Sequence, residues 1–66
     1  MNTREYKSRK SNSVFTVAGE PKRAFLTVTG EASTNSKVQK EVLRIRREGA
    51  DFASADWTAR MLANTF

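Results

Sequence analysis

The chain has 66 residues, with twelve Lys and Arg against seven Asp and Glu, giving a net charge of +5. It contains no His and no Cys, which excludes imidazole or thiol catalysis, disulfides, and thiolate or imidazole metal sites. No Asp-rich calcium loop and no Gly-rich phosphate loop occurs either, so no metal, cofactor or small-molecule substrate is expected. A hydroxyl nucleophile needs a base, and no Ser–Lys pair at a diagnostic spacing stands out. The expectation is a small binding protein and not an enzyme.

Residues 1–13 carry Arg4, Lys7, Arg9 and Lys10 against Glu5 alone, with Ser and Asn between them, and read as a flexible basic arm. No long apolar run follows, so a signal peptide is not expected and a cytoplasmic location is, or a virion if the chain is a phage structural piece. No stretch reaches the length of a membrane span. Residues 14–66 read as one small α+β domain.

Val14–Ala18 and Phe25–Thr29 are rich in β-branched and aromatic residues, and Gly19 and Pro21 separate them, predicting a β-hairpin over about 14–29. Alternation places Phe15, Val17, Leu26 and Val28 on one face and Thr16, Thr27 and Thr29 on the other. After Gly30 and a polar connector, Ser36-Lys37-Val38-Gln39 fits a capping box with Ser36 as N-cap. Val38, Val42 and Ile45 recur at helical spacing up to Gly49, predicting a helix over about 37–48. A second helix is predicted over about 54–65, capped by Asp51 or Ser54, with Ala55, Ala59, Leu62 and Phe66 as one stripe and Trp57 with Met61 beside it. The architecture expected is therefore a basic arm, one hairpin, and two helices packed on its apolar face.

The core is thin: the aliphatic and Phe residues number thirteen, with eight alanines adding little area. An isolated hairpin is unstable in water, and no metal or disulfide compensates here. A homodimer, or docking on a larger protein partner, is the expected remedy.

Positive charge marks three places: the arm, the hairpin turn with Lys22 and Arg23, and a flank of the first helix with Lys37, Lys40, Arg44 and Arg47. Together with Arg4, Lys7, Arg9 and Lys10 these are the candidates for neutralising phosphates of DNA or another polyanion. Thr16, Thr27 and Thr29 are candidate base readers, because a β-ribbon fits the major groove. The other function class is a protein–protein module, an inhibitor, adaptor or virion component, with Trp57, Met61 and Phe66 at the interface centre. A chain this short fits a phage or mobile-element product under either reading.

The order Arg23-Ala24-Phe25-Leu26-Thr27-Val28-Thr29, first helix, Gly49, second helix resembles the ribbon-helix-helix repressors over about two thirds of the chain. The resemblance implies a strand paired across a dimer, its polar face in the major groove. The extra upstream strand and the segment from Gly49 to Ser54 depart from that layout.

Overall fold

Alternating apolar and hydroxyl side chains build the sheet. In the computed structural model, which describes residues 2–66, three strands form an antiparallel meander: β1 (Asn2–Lys7), β2 (Val14–Glu20) and β3 (Arg23–Thr29). A 3₁₀ turn (Glu31–Thr34) leads into α1 (Ser36–Glu48), and α2 (Phe52–Thr65) closes the chain, an α+β fold. Partners across an antiparallel ladder share a face. Phe15 lies opposite Tyr6 and Val28, and Val17 opposite Arg4 and Leu26; this inner side takes the helices. Thr16 lies opposite Glu5 and Thr27, and Val14 opposite Lys7 and Thr29, on the outer side, so the predicted division of faces holds.

The segment expected as a flexible basic arm is a correction. Residues 2–7 form β1, and residues 8–13 form an ordered loop; residue 1 lies outside the described residues. Strand propensity hid β1, since Asn2, Arg4, Glu5 and Lys7 are weak strand formers. Pairing with β2 supplies its backbone partners, and the Tyr6 hydroxyl donates to Asp56 Oδ1 on α2. Serines hold the loop. The Ser8 N–H donates to the Ser13 carbonyl at 2.8 Å, and Ser8 Oγ accepts from the Lys10 and Ser11 amides at 3.3 and 3.4 Å. Ser13 Oγ, buried, accepts the Ala32 N–H at 2.8 Å and so ties this loop to the 3₁₀ turn.

The hairpin between β2 and β3 is tighter than its sequence suggests. Its strands run to Glu20 and Arg23, leaving only Pro21 and Lys22 in the turn. Gly19 takes φ 149, and a Cβ there would stand 2.6 Å from the Arg23 carbonyl oxygen, so β3 can approach only because the side chain is absent.

α1 begins one residue earlier than the capping box implies. Its N-cap is Asn35, whose Oδ1 accepts the Lys37 and Val38 backbone amides at 2.9 and 3.2 Å, and the Gln39 side-chain Nε2 donates to the Ser33 carbonyl. Asn and Ser cap about equally well, so local geometry, not residue type, decides between neighbours. Gly49 ends the helix in the left-handed conformation, φ 64. Asp51 caps α2 by accepting the Ser54 N–H at 2.8 Å, and α2 starts at Phe52.

Val38 and Ile45 bury α1 against β3, while α2 lies over β2 and also meets β1 and β3. The inward residues of α2 are Ala55, Thr58, Ala59 and Leu62, three of them small, which lets the helix come close to the sheet. The interhelix segment clasps the hairpin tip: Ala24 N–H donates to the Ala50 carbonyl and Phe52 N–H to the Pro21 carbonyl. Among the described residues, no helix is long and apolar enough to cross a membrane.

Candidate nucleic-acid interface

The ten basic candidates separate onto two layers. Lys7, Arg9 and Lys10 gather at the β1–β2 loop, around a hollow of about 400 Å³ that Ala63 and Asn64 of α2 also line. Lys22 and Arg23 stand at the opposite end of the strands, at the hairpin turn. Lys37, Lys40, Arg44 and Arg47 belong to α1, in the layer behind the sheet.

Arg4 and Arg44 are engaged already. Arg4 projects from the inner side of β1 and reaches Asp56 at 3.7 Å; the Tyr6 hydroxyl and then the Asp56 carboxylate raise its pKa above the ordinary value. Arg44 Nε meets Glu41 at 3.0 Å and its Nη1 meets Glu48 at 3.1 Å. The Glu41 contact is the larger cause of its raised pKa. Both are spaced as helical neighbours, and both ion pairs lie near the surface. Among the described residues, no ion pair engages Lys7, Arg9, Lys10, Lys22 or Arg23.

Between the two free clusters lies the outer side of the sheet. On β2 and β3 its central positions are Thr16, Ala18, Phe25 and Thr27, all uncharged, with Glu5 on the edge strand beside them. Thr27 and Thr29 are exposed, whereas Thr16, on the central strand, is half-buried. The Arg23 guanidinium carbon stands 5.3 Å from the centre of the Phe25 ring, a cation–π distance, which holds that cation over the sheet. Phe25, Lys7 and Arg23 therefore share a face with the three threonines. Period-two alternation across the hairpin would have placed Phe25 there from the sequence alone.

The three interface candidates also part company. Trp57 and Met61 are exposed on α2, but Phe66 packs against the hydrophobic core and is not on their surface. β3 is an edge of the sheet and pairs with β2 of the same chain. Among the described residues, no cluster of carboxylates has the arrangement to hold a metal ion. Compared with protein-family models, with curated proteins and with solved structures, the chain matches none.

Proposed function

We propose that this protein is a small, non-enzymatic DNA-binding protein that lays the outer side of its sheet against the duplex. It would act in the cytoplasm as a regulator or architectural protein, of phage or mobile-element origin. The observation carrying this reading is that Lys7 and Arg23, with no ion pair among the described residues, stand at opposite ends of a face whose central positions on β2 and β3 are uncharged and partly hydroxyl-lined. A seven-residue strand spans roughly 20 Å, enough to carry both clusters past the edges of a major groove about 12 Å wide. Lys7, Arg9, Lys10, Lys22 and Arg23 take the phosphates in this reading, and Thr27 and Thr29, with Thr16 behind them, meet base edges or thymine methyl groups. Arg4 and Arg44, held by carboxylates, are left out of it.

Fluorescence anisotropy with a labelled duplex tests this. Five phosphate contacts give a log–log salt slope of about −4.5, a loss of about 10²–10³-fold in affinity between about 50 and 200 mM salt. Replacing Arg9 and Lys10 together with Ala lowers the slope magnitude by about two, while Lys37→Ala with Lys40→Ala leaves it unchanged. Absence of binding at low salt ends the reading. A loss confined to the α1 variants moves the interface to the other layer.

A further inference from the structure

The layer behind the sheet has a surface that DNA binding by the sheet leaves unexplained. α1 and α2 each turn a buried stripe inward and meet each other little, and a shallow valley crosses from the outward side of α1 to that of α2. Three hollows adjoin along it. One of about 300 Å³ is lined by Leu43 and Arg44, one of about 400 Å³ by Arg44 and Trp57, and one of about 270 Å³ by Trp57 and Met61. Arg44 is common to the first two and Trp57 to the last two, so the three adjoin: the first is lined by α1 alone, the middle one by both helices and the third by α2 alone.

Its apolar content is out of proportion to the chain. Among the described residues, four large hydrophobic side chains are exposed, and Leu43 at 54%, Trp57 at 62% and Met61 at 39% all line this valley. A protein with so thin a core would bury them if the fold alone decided. Trp, Met and Arg are the residue types enriched at interface centres. Lys40, Arg47 and Arg60 rim the valley with Glu48, whose carboxylate is taken up by Arg44; Arg44, bridged to Glu41 and Glu48, is a fixed wall within it.

Charge selects the occupant. A second copy packed face to face would set Lys40, Arg47 and Arg60 against cations of the same rim, which is unfavourable. Duplex DNA offers phosphates to the rim, but its apolar groups, the thymine methyls, lie within the major groove and give little to a broad aromatic and aliphatic floor. We infer that the valley docks a short acidic segment of another protein, its apolar side chains on Leu43, Trp57 and Met61 and its carboxylates against Lys40, Arg47 and Arg60. An amphipathic helix laid across the outward sides of α1 and α2 fits this arrangement. This inference is argued from the helix layer and not from the threonine face of the sheet, although Asn64 lines both the α2 end of the valley and the hollow at Lys7, Arg9 and Lys10.

Trp57 is the only tryptophan, so intrinsic fluorescence reports on the valley directly. The probe is an amphipathic helical peptide with Leu and Phe along one face and Glu on both flanks, compared with a counterpart carrying Lys on the flanks. The Glu peptide is expected to shift Trp57 emission to the blue and to bind at least about tenfold tighter than the Lys peptide at low salt. With a labelled Glu peptide, Trp57→Ala weakens binding by about tenfold or more. Lys40→Glu combined with Arg47→Glu reverses the preference, with far-UV circular dichroism unchanged. No shift with the Glu peptide, or equal binding of the two peptides, overturns the inference. So does a blue shift on concentrating the protein alone with doubled mass in sedimentation, which assigns the valley to a second copy. Shielding of Trp57 from acrylamide by duplex DNA overturns it too.

Discussion

Asp51 couples the start of α2 to pH. Its carboxylate accepts the Ser54 N–H, and that backbone hydrogen bond holds its pKa below the ordinary carboxylate value. A group with a depressed pKa in the folded state contributes stability above its unfolded pKa, roughly 3.9, and loses it as pH falls through the folded value. Asn caps a helix as well as Asp but does not titrate. Thermal melts of wild type and Asp51→Asn are therefore expected to differ in their pH dependence, wild type losing more stability below about pH 4. Parallel curves down to pH 2 would mean that the hydrogen bond does not persist in solution. The sequence already offered Asp51 as one of two caps. The choice against Ser54 depended on Phe52, which joins the core and extends the helix by two residues toward its start.

At the scale of elements, periodic pattern carried most of the information. The two central runs of the hairpin and the Val38–Val42–Ile45 stripe were legible because burial on one face imposes a period, two or 3.6, on the residues. β1 was not legible, because an edge strand whose side chains are mostly exposed carries no such imprint. Its one clue was Tyr6, the sole aromatic among the first thirteen residues. The start of α1 slipped for another reason: Asn35 and Ser36 are both good caps, and the carbonyl–amide geometry of the preceding 3₁₀ turn decides. Asn35→Ala is expected to cost about 1 kcal/mol, read as a lower urea midpoint at unchanged slope, and Ser36→Ala less than about 0.5 kcal/mol. The reverse order would return the cap to Ser36.

For the molecule as a whole, the thin core sets a low ceiling. At about 0.05–0.15 kcal/mol per residue, 66 residues give a total stability of about 3–10 kcal/mol. Phe15 is fully buried, at the centre of the inner face between Tyr6 and Val28. Its truncation to Ala costs about 3–5 kcal/mol, so Phe15→Ala is expected to lower the melting temperature drastically or abolish a cooperative melt. Phe15→Leu retains the transition. A cooperative melt for Phe15→Ala near the wild-type temperature would show that the core does not depend on this ring. The basic residues of the interface were legible as residues, but their division between two layers was not. Charge leaves no period in a sequence, and only the fold placed Lys7 and Arg23 on the outer side of the sheet and Lys40 and Arg47 on the helix behind it.

The bond from Tyr6 to Asp56 joins residues fifty positions apart. At a synthesis rate of about 5–20 residues per second, Tyr6 is made roughly 3–10 s before Asp56 exists. For that interval the nascent β1 has at most its ladder to β2, with no helix behind it. The strand least favoured by its own residues thus acquires its tertiary anchor last. Completion of this fold waits for the synthesis of α2.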